Sequence, residues 1–301
     1  MGAPLREHFR PALARLARRA ARCAAGGLAC ALAVLPALGQ TAGFPQRVVT
    51  LAPHITEMVF AAGAGHSLAG TVVSSNYPDA ARALPKVGDG AASINAEALI
   101  GLKPDLVLAW HNSGAAAAVA PLLQELGIPL AFLAPTRLDD IPDQVESLGA
   151  RLGVPQQARD AASAMRDELS ALRGRHAGRP PVSVLIEIGS APLFAVGKDT
   201  LLNDALHTCG GVNIFEDSSL AALPVGTERI VQESPEVILA AAATVHQERQ
   251  AQRRWAAVGL APQTGTHVYG IDPDTFFRPG PRLIHATRDV CRKLEDARRP
   301  R

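Results

Sequence analysis

The hydrophobic pattern of the chain switches repeatedly between short aliphatic runs and segments with an apolar residue every three or four positions. Runs of Val, Ile and Leu suit strands buried on both faces, whereas the longer period is typical of helices with one buried side. The runs predict strands at residues 47–51, 67–73, 129–133, 182–188 and 266–271. Helical spacing predicts helices at residues 54–62, 115–126, 138–152, 201–208, 248–258 and 281–297. Because strands and helices alternate, we expect an α/β fold with largely parallel central sheets and flanking helices.

One helix–strand unit occurs twice in the chain. Residues 97–109 read EALIGLKPDLVLA and residues 228–240 read ERIVQESPEVILA, so the copies begin with Glu97 and Glu228. In each copy a proline ends a short helix and a buried strand follows it. A unit repeated at this separation predicts two similar lobes. A chance recurrence of a common α/β pattern is the alternative.

A single long helix is predicted between the lobes. Residues Pro155–His176 contain no proline after the first, and their alanines and leucines follow a 3.6-residue period with charges on the opposite face. Such a helix is about 30 Å long and allows only a modest change in the angle between lobes. The predicted organisation is an N-terminal lobe at 40–153, a linking helix at 154–177 and a C-terminal lobe at 178–301.

The first 39 residues predict a cleaved secretory signal peptide. Six arginines precede an apolar stretch at 23–38, and Ala37 and Gly39 are small residues at −3 and −1 of a cleavage site. A membrane anchor is the alternative, but the stretch is short and interrupted by glycine and proline. A lipoprotein site at Cys30 lacks a suitable residue three places before it. The chain is therefore expected to be exported from the cytoplasm.

Charge and cysteine content narrow the function of the mature chain. Cleavage removes six arginines and one glutamate, so the formal charge changes from +2 to −3 and no basic stripe remains for nucleic acid. Cys209 and Cys291 are the cysteines left, and an even pair in an exported protein suggests one disulfide. Two free buried thiols are the alternative. A catalytic cysteine is disfavoured because no candidate base stands in a recognisable motif beside either thiol.

Six sequence segments together resemble one family of exported binding proteins. They cover about residues 46–296 and read RVVTLAPHITEMVFAAG, NYPDAARALPKVG, INAEALIGLKPDLVLAW, LLNDALHTCGGVNIFED, ERIVQESPEVIL and FFRPGPRLIHATRDVC. The chain resembles periplasmic substrate-binding proteins of ABC transporters whose lobes are joined by one long helix, and among these the vitamin B12 binders. The resemblance implies a monomer without cofactor that binds one corrinoid and delivers it to a permease dimer in the inner membrane. It also implies a disulfide between Cys209 and Cys291.

The resemblance assigns a role to the repeated glutamates. In this family each lobe offers one glutamate to arginines on one half of a two-fold permease, and these positions fall on Glu97 and Glu228. Two identical permease subunits present the same cationic pocket twice, so a monomer docks well when it presents two similar anions. Alternatively, each glutamate only stabilises its own helix, by about 0.3–1 kcal/mol, through the interaction of its negative charge with the helix dipole.

The candidate ligand residues follow predicted strands, because α/β lobes bind ligands beyond the carboxyl ends of their strands. They are Ser74, Tyr77, Trp110, Phe194, Asp274, Thr275, Phe276, Phe277 and Arg278. The last five match a corrinoid-contacting segment of the B12 binders, in which the phenylalanines would offer flat apolar area and the arginine would meet an amide or phosphate. Some aromatic positions of the B12 binders are instead Ser74, Ile188 and Ala222. Haem or a ferric chelate is therefore an alternative ligand.

Metal binding and catalysis find weaker support in the sequence. His54 and Glu57 lie three apart on one helical face and His111 follows Trp110, yet His54 is expected to be a polar cap or loop residue and no metal site is predicted. The chain contains no nucleophile elbow, P-loop or His-Glu-x-x-His motif. An exported enzyme remains the least favoured alternative.

Overall fold

A computed structural model describes residues 43–111 and 114–299 of the chain, and the part from Phe44 onward forms one compact unit. It contains one sheet before and one sheet after a long helix, which confirms the predicted α/β class with two lobes. The predicted signal peptide, residues 1–39, lies outside the described residues.

The N-terminal lobe contains β1 (Val48–Thr50), α1 (Pro53–Ala61), β2 (Leu68–Gly70), α2 (Asp79–Arg82), α3 (Ala96–Gly101), β3 (Leu106–Ala109), α4 (Gly114–Glu125), β4 (Leu130–Phe132) and α5 (Asp140–Arg151). The sheet order is β2-β1-β3-β4, and every pairing is parallel. Val48 and Leu106 pack into one core and Val49 and Val107 into another, because successive strand residues point to opposite faces. Burial on both faces explains the continuous aliphatic runs.

The linking helix α6 (Pro155–His176) is confirmed as one uninterrupted element. Its Ala158, Ala162, Leu169 and Leu172 are buried, as the period predicts. Helix α5 approaches it closely: a Cβ on Gly149 would lie 2.0 Å from the Cβ of Ala158. The absence of a side chain at Gly149 therefore lets the last helix of the N-terminal lobe pack directly against the linking helix.

The C-terminal lobe contains β5 (Val182–Ser190), β6 (Leu193–Val196), α7 (Thr200–Thr208), β7 (Gly211–Asn213), β8 (Ala222–Pro224), α8 (Thr227–Glu233), β9 (Val237–Ala241), α9 (Val245–Ala256), β10 (His267–Ile271), α10 (Pro273–Phe276) and α11 (Pro281–Ala297). Strands β10, β9, β5 and β7 pair in parallel, whereas β6 and β8 add antiparallel pairings. This mixed edge was not predicted. It arises because only Ala191 and Pro192 connect β5 to β6, and so short a connection joins antiparallel strands.

The two copies of the repeated unit also share an unusual backbone conformation. Helix α3 leads into β3, and α8 leads into β9, as the pattern predicts. The residue before each proline, Lys103 in one copy and Ser234 in the other, has a left-handed φ of 49° and 48° respectively, and within the described part these are the two non-glycine residues with positive φ. The two helices therefore end in the same way before their strands begin.

Packing and one covalent bond tie the second lobe to the last helix. One group of buried side chains extends from Val48 through α5, α6 and α11 to Val184, so the lobes share a core. Cys209, after α7, is bonded to Cys291 in α11, with Cα atoms 4.6 Å apart, and the expected disulfide is confirmed. Within residues 43–111 and 114–299 no helix is long and apolar enough to cross a membrane.

Candidate ligand-binding site

Trp110 lies where β3 ends, at the meeting point of two cavities. Its side chain is 40% exposed, which is unusual for the largest apolar residue type. The indole contacts the imidazole of His54 edge to face at 5.0 Å between centroids, and the ring of His111 lies 4.2 Å away at a tilt of 31°. Three flat rings are thus grouped at the carboxyl edge of the N-terminal sheet, where ligands of α/β proteins bind.

The first cavity, here called the Ser74 cavity, has a volume of about 380 Å³. The lining residues used below are His54, Ser74, Asp89, Trp110, Phe277 and Arg278. The second, the Lys198 cavity, has a volume of about 230 Å³ and is lined by residues of both lobes, including Trp110, Thr136, Lys198, Thr200 and Phe277. Because Trp110 and Phe277 border both cavities, a flat ligand placed between the lobes would contact both aromatic side chains.

His54 was expected to be a polar cap or loop residue, and this expectation is wrong. The side chain sits within α1 and is only 2% exposed, and its Nε2 atom has no hydrogen-bond partner among the described residues. Burial lowers the pKa of His54 to about 3, and the positive charges of His111 and Arg278 act in the same direction. The imidazole is therefore neutral at physiological pH and borders the Ser74 cavity.

A buried ionic network joins α1 to the segment that follows β10. Both oxygens of Glu57 accept hydrogen bonds from Arg282, at 2.9 and 2.6 Å. Burial raises the pKa of Glu57, while the hydrogen bond and charge of Arg282 and the charge of Arg278 oppose the rise. Paired in this way, the carboxylate and the guanidinium satisfy each other, and the pair connects a helix of the N-terminal lobe with the last helix of the C-terminal lobe.

Arg278 is held by the same network. Its Nη1 donates to the Oδ1 atom of Asn76 at 2.8 Å, and its Nη2 donates to Asp274 at 2.5 Å. Asn76 in turn donates to Asp274 at 2.6 Å. The Arg278 side chain is 14% exposed, and burial lowers its pKa while Asp274 and Glu57 oppose that change. The arginine borders the cavity with its charge already paired.

The structure brings only some of the predicted ligand residues together. Ser74, Trp110, Phe277 and Arg278 border the Ser74 cavity. Asp274 belongs to the ionic network, and the Thr275 hydroxyl donates to the carbonyl of Asp272 in the first turn of α10. Phe276 is fully buried with 0% exposure and packs into the core, but it also lines the Lys198 cavity together with Phe277, which stays partly exposed.

Two further candidates lie outside both cavities. Tyr77 is 49% exposed, and the guanidinium of Arg282 covers its ring at 4.6 Å from the centroid. Phe194 is half-buried on β6, the antiparallel strand that was not predicted. His54 was weighed from the sequence only as a metal ligand, and Asn76 and Lys198 were missed as site residues because isolated polar residues carry no periodic signal. A polar residue beside a predicted strand end was the one signal available for Asn76.

The two repeated glutamates are surface residues. Glu97 lies in the first turn of α3 and Glu228 in the first turn of α8, and both are exposed. Neither borders the Ser74 or the Lys198 cavity. Across the described residues there is also no group of three His, Cys, Asp or Glu side chains arranged to hold a metal ion.

A larger cavity of about 490 Å³ lies on the C-terminal lobe, lined by residues that include Phe215, Leu223, Val225 and Arg229. Size alone would favour it as the ligand site. All its lining residues come from one lobe, however, and none is a predicted ligand residue. The smaller cavities around Trp110 fit a two-lobed binding protein better, because they combine strand ends, both lobes and a partly exposed aromatic surface.

Comparison with known proteins identifies the family of this arrangement. The periplasmic binding protein model matches residues 48–275 of the chain. The chain belongs to the periplasmic binding protein family. The vitamin B12-binding protein of Yersinia pseudotuberculosis is 34% identical to this chain over 268 residues. The aligned region covers 88% of this chain and 92% of that relative. The family assignment thus rests on nearly the whole described sequence.

Solved structures of other periplasmic binding proteins share the architecture. The periplasmic vitamin B12 binding protein BtuF of Vibrio cholerae superimposes with a TM-score of 0.77 at 31% identity and covers 85% of this chain and 99% of that structure. The periplasmic haem-binding protein RhuT of Roseiflexus sp. RS-1, in its apo form, gives a TM-score of 0.71 at 26% identity, with coverage of 84% and 98%. One architecture therefore holds both corrinoid and haem binders.

Proposed function

We propose that this protein captures cobalamin or a related corrinoid between its two lobes and delivers it to an ABC transporter permease. The observation that carries the proposal is the position of Trp110. Its partly exposed indole borders both cavities at the carboxyl end of β3, in a chain 34% identical to a vitamin B12-binding protein. A large, flat and partly apolar ligand gains most from such a surface.

The exposed apolar residues near strand ends support a ligand larger than either cavity. Val73, just before Ser74, is 65% exposed, and Ile188, near the end of β5, is 37% exposed. Exposed apolar side chains close to a cleft are typical of a binding surface that a ligand covers. The two cavities would then receive parts of the ligand, with its flat ring against Trp110 and Phe277.

The test is a titration of the exported chain with cyanocobalamin, cobinamide, haemin and a ferric siderophore. Binding is measured by calorimetry and by visible absorption. We expect one corrinoid per chain, recovered chemically unchanged, as a binding protein requires. Tight binding of haemin or a siderophore without corrinoid binding would contradict the proposal. Turnover of the ligand would instead indicate an enzyme.

Haem is the second candidate, favoured by the structural similarity to RhuT. One feature of the site disfavours it. Haem carries two carboxylate arms, and a carboxylate in a closed cleft requires a cation or several hydrogen-bond donors. The two arginines near the Ser74 cavity, Arg278 and Arg282, are already paired with Asp274 and Glu57, which leaves Lys198 at the other cavity to receive one of the two arms.

We infer that delivery uses Glu97 and Glu228, one on each lobe. Both are exposed anions in the first turn of equivalent helices and lie outside the two cavities. This arrangement suits a partner with two equal cationic pockets, such as a permease dimer in the inner membrane. The proposed working form is a monomer in the periplasm after removal of residues 1–39, and Trp110, Phe277 and Arg278, with Ser74 and Asp274, form its proposed ligand site.

A further inference from the structure

The Nε2 atom of His54 is a buried polar atom without a partner among the described residues. Such an atom costs free energy in the folded state, and native proteins keep few of them. His54 borders the Ser74 cavity, and within residues 43–111 and 114–299 the aromatic ring in contact with its imidazole is that of Trp110, which is 40% exposed. A ligand group that reaches the imidazole through this cavity would give the nitrogen the partner that it lacks.

The hydroxyl of Ser74 is a second group with free hydrogen-bonding capacity at the same cavity. Its Oγ makes one long hydrogen bond, donating to the carbonyl of Asp89 at 3.4 Å. A hydroxyl can also accept, and an imidazole nitrogen donates or accepts according to its tautomer. Together the two side chains match a ligand group that both donates and accepts.

The charges around the cavity disfavour an anionic ligand group. Asp89 borders the cavity, and hydrogen bonds from the backbone N–H groups of Ser93, Ala91 and Ala92 lower its pKa to about 2, so it is ionised. Arg278 is paired with Asp274 and Asn76. His54 stays neutral because of its burial. A carboxylate entering the cavity would meet a like charge and lose its water without gaining a free cation.

We propose that the Ser74 cavity is a subsite for an uncharged carboxamide arm of the ligand, with the imidazole of His54 and the hydroxyl of Ser74 as its hydrogen-bonding partners. The inference rests on the proposed corrinoid function, because corrinoids carry carboxamide arms around the ring whereas haem carries carboxylates. A cavity of about 380 Å³ accommodates such an arm but not a whole corrinoid. The subsite thus selects a ligand by the charge of its side arms.

The test measures affinity for cyanocobalamin and for its monocarboxylic acids, in each of which one peripheral carboxamide is hydrolysed. The measurement is calorimetry at pH 8 for every ligand and variant. At least one acid should bind about 30-fold more weakly than cyanocobalamin, as expected when a buried polar contact is lost and a charge is placed there. In His54→Phe, which keeps an aromatic ring against Trp110, cyanocobalamin should bind more weakly because its carboxamide loses a partner, and the difference for that acid should become smaller; the part due to the ionised Asp89 should remain.

His54→Gln keeps a neutral hydrogen-bonding group and should recover part of the selectivity, which also guards against a folding defect in His54→Phe. His285→Phe is the matched control. His285 is an exposed residue of α11, is paired with Glu168 and does not line the Ser74 cavity. Equal binding of every acid and cyanocobalamin by the wild type, or unchanged binding and selectivity in His54→Phe, would overturn the subsite and leave the corrinoid function standing. Failure of any corrinoid to bind would overturn both.

Discussion

The two lobes share a repeated helix–strand unit but use their tryptophans differently. In the N-terminal lobe β3 leads directly into Trp110, which is 40% exposed at the cleft. In the C-terminal lobe Trp255 lies on α9, is 1% exposed, and donates its Nε1–H to the carboxylate of Glu187 at 2.8 Å. The repeat therefore reproduces the strand and the surface glutamate in both lobes, whereas a partly exposed tryptophan follows the repeated strand in the N-terminal lobe only.

The largest expected effect tests the feature that the lobes share. Glu97→Arg combined with Glu228→Arg should nearly abolish transport and complex formation, because each like-charge contact with a cationic partner costs several kcal/mol. Corrinoid affinity should stay within about threefold, since neither glutamate borders the cavities. The measurements are uptake in cells and binding to the permease in membranes.

A matched control keeps the same change of charge away from the repeated helices. Glu125→Arg combined with Asp289→Arg reverses two exposed carboxylates, one on α4 and one on α11. This variant should transport normally. If it fails equally, the effect is one of net charge; if the first variant loses corrinoid but still engages the permease, the glutamates belong to the ligand site.

The next effect tests the buried tryptophan. Trp255→Ala should lower the free energy of unfolding by about 3–5 kcal/mol, because a large core side chain is removed and the buried Glu187 loses one donor. Corrinoid affinity of the folded protein should be unchanged. Urea unfolding with the disulfide intact measures the loss of free energy. A change below about 1 kcal/mol would show that neighbouring side chains repack into the space left by the indole.

Trp110→Ala should show the opposite behaviour. Ligand binding should weaken by about 1–3 kcal/mol if the indole packs on the flat face of the ligand. The free energy of unfolding should change little, because the side chain is 40% exposed. Calorimetric titration gives the ligand affinity, and urea unfolding gives the free energy of unfolding, of both tryptophan variants. If Trp110→Ala loses stability without losing affinity, Trp110 is a core residue.

The last prediction concerns pH and His54. Its pKa in the folded chain is about 3, below the ordinary value of 6.5, so the unfolded chain binds more protons between these values. Stability from the neutral imidazole is therefore complete above pH 6.5 and falls by about 1.4 kcal/mol per pH unit as the pH drops towards 3. His54→Gln should remove this part of the pH dependence. The free energy of unfolding in urea is measured at pH 7 and at pH 5 for the wild type and for His54→Gln. An equal loss between the two pH values in both proteins would contradict the assignment.

Much of the fold could be predicted because its determinants are local. Aliphatic runs such as 47–51 and the period of Pro155–His176 report burial directly, and the prolines of the repeat mark where helices end. The mixed edge of the second sheet escaped prediction, because strand direction depends on the two-residue connection after β5 and on the partner that this connection supplies.

The sequence by itself determined the class of the fold, the long linking helix, the two surface glutamates and the position of Trp110 at a strand end. Only the tertiary structure decided which polar residues belong to the site. It buried Phe276 in the core, placed Arg282 over Tyr77, paired Glu57 with Arg282, and left Nε2 of His54 without a partner beside the cavity. Periodicity reports which face of an element is buried, whereas the pairing of charges depends on contacts between residues more than 200 positions apart, such as Glu57 and Arg282.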